Sequence, residues 1–142
     1  MIAKSNSELF ALKTLRSHGL GGAELSQVTR ATLIAKLAYA SPAWSGFCTA
    51  EDLSRLTAVE RKARRWGLIG SSVSSISEIF DKADKELFSR ILNVTHHSLR
   101  GLLPPIKKTG HELRPRGHPF ELPRKSHLLA KNFITRMLYT QI

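Results

Sequence analysis

The basic residues are the groups in this sequence whose types and spacing could do chemistry. Four cations lie within five positions just before Trp66: Arg61, Lys62, Arg64 and Arg65. On a helix they would cover the polar face and form a positive ridge able to follow a phosphate backbone. Cations near the end of a helix also suit the helix dipole, so a purely structural role stays open. Four cations exceed what capping needs, and the spacing therefore predicts a nucleic-acid-binding surface.

A second basic group follows in a proline-rich stretch. Five of the six prolines fall between Pro104 and Pro123. Because proline fixes φ and removes a backbone donor, this stretch predicts an extended strap rather than a helix or a central strand. Its candidate nucleic-acid-binding residues are Lys107, Lys108, Arg114, Arg116, Arg124 and Lys125. The planar guanidinium of arginine suits phosphate, and no pattern here predicts base-specific readout.

The acidic residues do not form a catalytic pattern. The only aspartates are Asp52, Asp81 and Asp84. Asp52 is expected at a helix N-terminus, and the other two are expected on a solvated charged face with local ion pairs. There is no glycine-rich phosphate loop and no nucleophile elbow. The sequence therefore predicts no catalytic residue.

Histidines and cysteine do not predict a metal site either. His96 and His97 are adjacent and would diverge on a helix, and three more histidines lie irregularly in the proline-rich part: His111, His118 and His127. None of these spacings matches a zinc motif. Cys48 is the single cysteine, so an internal disulfide is excluded. We expect Cys48 to be a small buried apolar residue. We predict no metal and no cofactor.

Composition narrows the choice of partner. The chain has 142 residues and a net charge of +11, which favours polyanionic partners, nucleic acid first and anionic membrane second. The longest apolar-rich stretch, Ala31 to Ala43, contains Lys36 and is too short to span a bilayer. The N-terminus lacks the pattern of a signal peptide. We expect a soluble intracellular protein, nuclear or cytoplasmic.

Apolar periodicity and capping residues predict the helices that position these groups. We expect a first helix over about Ser7–His18, with Leu9, Phe10, Leu12 and Leu15 as its apolar stripe and Gly19 in the stop that follows. A second is expected over about Ala23–Ala40, and a third from the N-cap Thr49, with Asp52 three residues on, to Gly67. Ser75 and Glu78 predict a capping box that opens a short helix over Ile76–Ala83, which either ends there or continues to about Thr95. The second should be the most buried, because apolar residues cover more than half of its circumference. The predicted fold class is mainly α: a bundle of four to five helices over residues 1–100, an extended basic strap over 101–131, and a C-terminal apolar anchor over 132–142.

The order of several short motifs resembles a known family. The segment Leu33-Ile-Ala-Lys-Leu-Ala-Tyr-Ala-Ser-Pro-Ala-Trp44 is similar to the "LxYASPxW" segment of non-LTR (LINE-type, jockey-like) retrotransposon reverse transcriptases. The resemblance runs from about Ser5 to Tyr139. It continues through 56–65, Ser77-Glu-Ile-Phe80, 87–92, Leu102-Leu-Pro-Pro105, Leu113-Arg-Pro-Arg-Gly-His118 and Asn132-Phe-Ile-Thr-Arg-Met-Leu-Tyr139. These motifs resemble those of the thumb and C-terminal extension.

The resemblance implies a fragment of an RNA-directed DNA polymerase without its chemistry. The Tyr-x-Asp-Asp turn of the palm does not occur here, so no catalytic residue carries over. The implied function is a non-catalytic, thumb-like module that holds a template–primer by its backbone. The implied partners are RNA, DNA or an RNA–DNA hybrid and the palm of a parent polymerase, with no membrane. The alternative is an interaction or scaffold protein without a nucleic-acid role, with an apolar patch at the second helix and Trp44.

Overall fold

The computed structural model describes residues 2–70, 73–107, 117–124 and 126–140. These residues are mainly helical, contain no strand and show one isolated antiparallel bridge. The predicted fold class is therefore confirmed. Two compact units are present: one comprises the chain up to Ser41 with Cys48–Asp81, and the other comprises Pro42–Phe47 with the chain from Lys82 onward. The predicted boundaries at residues 100 and 131 stay predictions.

Helix α1 spans Ile2–Ser17, beginning earlier than predicted. It buries Ser5, Leu9 and Leu12 on one face, whereas Phe10 is 68% exposed. Phe10 follows Leu9 by about 100° around the helix, so it lies off the buried stripe and its predicted place there is wrong. Gly19, at φ +96°, ends the helix as predicted, because this backbone conformation is easily reached only by glycine.

Helix α2 is continuous through Gly22–Thr29, a π-helical turn at Arg30–Ile34, and Ala35–Ala38. Its buried residues recur every four positions: Leu25, Thr29, Leu33 and Leu37. A regular helix has about 3.6 residues per turn, so this spacing would drift around the axis. The wider π turn keeps the four residues on one stripe. The prediction that this is the most buried helix is wrong, because only four of its seventeen residues are buried, against four of the eight in the C-terminal helix Phe133–Thr140. Ala31, Thr32 and Ala35 are among its exposed residues.

A short helix α3 spans Ser41–Trp44 and belongs to the second unit from Pro42 onward. The next helix, α4, spans Ala50–Arg65 in the first unit, and it begins and ends with the predicted signals. Thr49 and Asp52 form the predicted capping box at the start of α4. Gly67, at φ +63°, ends it, and the amide of Leu68 donates to the carbonyl of Ala63 at 2.9 Å. Helix α4 packs against α1 through its buried face, which consists of Leu56, Val59 and Ala63.

Helix α5 spans Ile76–Asn93 as a single element and contributes to both units. The predicted capping box at its start is confirmed, because Ser75 N–H donates to Glu78 Oε2 at 2.8 Å and Glu78 N–H donates to Ser75 Oγ at 3.3 Å. Its first half places Ile76 and Phe80 in the first unit, where both are buried.

The second unit has its own apolar core. Helix α6, Phe133–Thr140, packs its buried residues on those of α5, and the core consists of Phe88, Ile91, Ile134, Met137 and Leu138. The predicted packing of the C-terminal apolar residues is therefore confirmed. Gly46, in the 3-10 turn Ser45–Phe47 after α3, lies so close to Arg136 and to the carbonyl of Lys131 that a β-carbon would overlap both.

The predicted strap is not extended at its two ends, because 3-10 turns span Ser98–Leu102 and Leu129–Lys131. Its described residues between these turns contain no helix and are fastened to α6. The amide of Lys107 donates to the carbonyl of Pro119 at 2.9 Å, and the amide of Glu121 donates to the carbonyl of Pro105 at 2.9 Å. His118 is buried; its Nδ1 accepts from the amide of Phe120 at 3.2 Å. Its Nε2 must therefore carry the proton and donate to the carbonyl of Leu138, 2.7 Å away. This histidine is structural.

Candidate nucleic-acid interface

The last two turns of α4 present three cations to solvent. Arg61 and Arg65 are exposed, and Lys62 is half-buried with its Nζ 3.4 Å from Asn6 Oδ1 of α1. Together with Ala58 they line a shallow surface depression of about 360 Å³. Their position at the C-terminal end of the helix also places them in the favourable field of the helix dipole. The structure thus presents three of the four predicted cations of α4 together.

Two cations of α1 join this group at the same end of α4. Lys13 Nζ lies 5.1 Å from the ring centroid of Trp66, within reach of a cation–π interaction. Arg16 donates to the carbonyl of Trp66 and so helps to end α4. We name the five residues the basic ridge: Lys13, Arg16, Arg61, Lys62 and Arg65. Within the part of the chain that the structure describes, none of the five forms an ion pair.

Sequence reasoning missed Lys13 and Arg16. The signal for them was their spacing of three residues on the polar side of α1, which places them on one face of that helix. What the sequence did not give is the pairing of α1 with α4, which is a tertiary contact.

Arg64, predicted as a member of the binding set, has a different role. Its Nε donates to Glu60 Oε1 at 2.9 Å, and its other nitrogens donate to the carbonyls of Gly70 and Val73 at 3.2 and 2.6 Å. Its side chain is 30% exposed. A phosphate could recruit this guanidinium only by replacing contacts that hold the segment after α4. We therefore place Arg64 outside the basic ridge.

Glu60 is the reason that Arg64 is held there. Its carboxylate is buried and accepts a second hydrogen bond, from the amide of Ile76 at 3.0 Å. That amide is the first of α5 and has no partner inside its own helix, so Glu60 caps α5 from a neighbouring helix. No motif in the sequence indicates this contact, which joins two residues 16 positions apart.

The strap candidates lie in the second unit. Lys107 and Arg124 are exposed there. The other four lie outside the described residues: Lys108, Arg114, Arg116 and Lys125. By sequence, the second unit contains twelve lysines and arginines against four acids, and the first contains ten against seven. Most of the positive charge excess thus belongs to the unit that contains the strap.

The remaining candidates for chemistry are structural or isolated. Asp84 was expected on a solvated face, but it is buried and pairs with Arg136 at 2.7 Å, so that expectation is wrong. Cys48 is half-buried, and burial, followed by the charge of Asp52, raises the pKa of its thiol. Among the described residues, no three groups of the metal-ligating kinds come together in a possible metal site.

The second unit also contains an apolar groove of about 620 Å³. Its walls come from α3 and the turn after it, from α5 and α6, and from the proline-rich segments. Its apolar lining residues are Pro42, Ala43, Phe47, Leu87, Leu99, Leu102, Pro104, Pro123, Leu129, Phe133, Ile134 and Leu138. Phe47, Leu102 and Leu129 remain 47%, 65% and 47% exposed, so the groove is open to solvent.

In comparisons with known proteins, the chain matches no protein-family model, no curated protein and no solved structure. Over the residues described here, no helix is both long and apolar enough to cross a bilayer.

Proposed function

We propose that this chain is a non-catalytic module that binds nucleic acid through its phosphate backbone, using the basic ridge. The observation that carries the proposal is that Arg61, Lys62 and Arg65 line one depression on α4, while Lys13 and Arg16 contact Trp66, the residue directly after them. None of these five cations forms an ion pair among the described residues. An exposed ridge of this kind can neutralise several phosphates at once, and contacts with phosphates carry no sequence information. Binding should therefore be independent of sequence and should accept RNA, DNA or a hybrid.

The order of the sequence motifs supports a more specific origin. We propose that the module derives from the thumb and extension of a non-LTR retrotransposon reverse transcriptase, with the palm of the parent polymerase as a further partner. The genomic reading frame upstream of Met1 tests this origin. A frame that encodes a palm with a Tyr-x-Asp-Asp turn would support it, and a frame without one would contradict it.

Fluorescence anisotropy with a labelled RNA–DNA hybrid tests binding. Each phosphate neutralised contributes roughly −0.9 to the slope of log affinity against log salt, so five ridge contacts predict a slope of about −4.5. Replacing Arg61, Lys62 and Arg65 with alanine should weaken binding and reduce the magnitude of the slope by roughly 2.7. The fold should survive, because these side chains lie on the surface of α4.

The matched control removes the same charge elsewhere in the first unit. A variant with Lys4, Arg30 and Arg55 replaced by alanine also loses three cations, all of them exposed and outside the ridge. This control should keep most of the salt dependence. Absence of binding at low salt would refute the proposed function. Equal losses of affinity in the two variants would show that binding depends on the net charge of the chain and not on the basic ridge.

A second function is favoured by the apolar groove. Exposed apolar surface of this extent is typical of sites that bind another protein. In this alternative the chain is an interaction module with no nucleic-acid role. Anisotropy that shows no hybrid binding, together with a partner bound in the groove, would favour it over the first function.

A further inference from the structure

We propose that the apolar groove of the second unit binds an acidic amphipathic helix of a partner protein. This inference deepens the second function and is independent of the basic ridge, so each can fail without the other. It rests on three properties of the groove: its apolar lining, the three prolines in its wall and the charge of the unit that contains it.

The lining favours burial of apolar side chains. Among the described residues that line it, only Asn132 and Thr135 are polar, and Asn132 Oδ1 already accepts a hydrogen bond from the amide of Ile134 at 3.0 Å. A volume of about 620 Å³ is enough for several large side chains. A ligand would therefore gain affinity from apolar anchors and little from hydrogen bonds.

The backbone of the groove selects a helix over an extended peptide. Three of its residues, Pro42, Pro104 and Pro123, have no N–H to donate. The described residues contain no strand to whose edge an extended peptide could be added. An extended peptide would leave its own carbonyls without partners, whereas a helix satisfies its backbone internally. Its anchors would recur at i, i+3 or i+4, and i+7.

Charge complementarity selects an acidic partner. The unit has three times as many cations as acids in its sequence. Arg124 follows the groove residue Pro123, and Lys131 precedes Asn132. The acids nearest along the chain are Glu86 and Glu121. A second copy of this chain would bring the same positive excess, so self-association through the groove is disfavoured.

Selection from a displayed library of helical peptides, with the full chain as bait, tests the proposal. The selected peptides should carry apolar residues at helical spacing and a net negative charge. Their affinities are then measured by anisotropy against the chain and two variants. Leu102→Ser removes an exposed groove residue, and Leu128→Ser removes a leucine of similar exposure that does not line the groove: 65% against 69%.

Loss of one leucine anchor should weaken binding roughly ten- to a hundredfold for Leu102→Ser, and less than about twofold for Leu128→Ser. Both side chains are mostly exposed, so both variants should fold; circular dichroism checks this.

Five outcomes would overturn the proposal. Selection could yield no helix, selection could yield only basic peptides, or the two variants could lose affinity equally. Sedimentation could show a dimer that Leu102→Ser dissociates, which would make a second copy the occupant. Dodecanoate could bind in a Leu102-dependent manner while no helix is selected, which would make the groove a small-molecule site.

Discussion

Replacing the buried carboxylate of Glu60 with an amide tests how the first unit is held together. Glu60→Gln keeps the size of the side chain and removes its charge. The carboxylate accepts from Ile76 N–H at 3.0 Å on one oxygen and from Arg64 Nε at 2.9 Å on the other. An amide has only one oxygen, so its NH₂ group would face one of these two donors. The interaction with that donor becomes repulsive, and the donor is left without an acceptor.

The magnitude follows from these two contacts. A hydrogen bond to a charged group contributes about 1.5–3 kcal/mol, and a buried donor left without a partner costs about 1–3 kcal/mol. Breaking a buried ion pair typically costs about 3–5 kcal/mol. Arg64 is 30% exposed, so solvent screens part of the pair and the lower end applies. We expect the free energy of unfolding to fall by about 3 kcal/mol.

Urea unfolding followed by far-UV circular dichroism measures this loss. Glu51→Gln is the matched control, because Glu51 also pairs with an arginine four residues later on α4, but its side chain is 72% exposed. We expect the control to lose about 0.5 kcal/mol or less. Hydrogen exchange should also become faster at the amide of Ile76 in Glu60→Gln alone. Equal losses in the two variants would refute the assignment of Glu60 as a cap of α5.

Two further predictions concern the strap and the start of α4. His118→Phe should lower the free energy of unfolding by about 1–3 kcal/mol for each buried partner left unpaired. The control His127→Phe, at an exposed position, should change it by less than about 0.5 kcal/mol. Urea unfolding measures both variants, and equal effects would contradict a structural role for His118. At the start of α4, the Thr49 hydroxyl and, as the smaller cause, the Thr49 amide donate to the carboxylate of Asp52 and lower its pKa. The cap therefore stabilises the fold fully above the ordinary pKa of Asp52, and this contribution is lost as pH falls through the lowered pKa. Thr49→Val should raise the pKa of Asp52 towards its ordinary value in a carboxyl ¹³C NMR titration, and an unchanged pKa would contradict this cause.

Local signals in the sequence predicted the helices well. The capping boxes at Thr49 and Ser75 and the glycines at 19 and 67 all occur where expected, because each acts through contacts within a few residues. The prediction for α2 was wrong in its extent of burial. Small apolar residues such as Ala31 and Ala35 fit a buried or an exposed face equally, and only the packing of neighbouring helices decides between them.

The candidate site was less predictable, since its composition depends on tertiary contacts. Arg61 and Arg64 look alike in the sequence, yet only Arg64 meets a buried carboxylate and two backbone carbonyls. Lys13 joins the ridge because α1 packs beside α4. Asp84 and His118 are buried for the same kind of reason: each meets a partner from the C-terminal helix.

The bridge between Ile106 and Phe120 has a consequence for how this chain tolerates change. The prolines at 105 and 119 each contribute a carbonyl, so the bridge needs amide donors only from Lys107 and Glu121. Replacing Pro105 or Pro119 with alanine would leave both hydrogen bonds of the bridge in place, whereas a proline at position 107 or 121 would remove one of them. The bridge should therefore tolerate the loss of its prolines better than the gain of new ones.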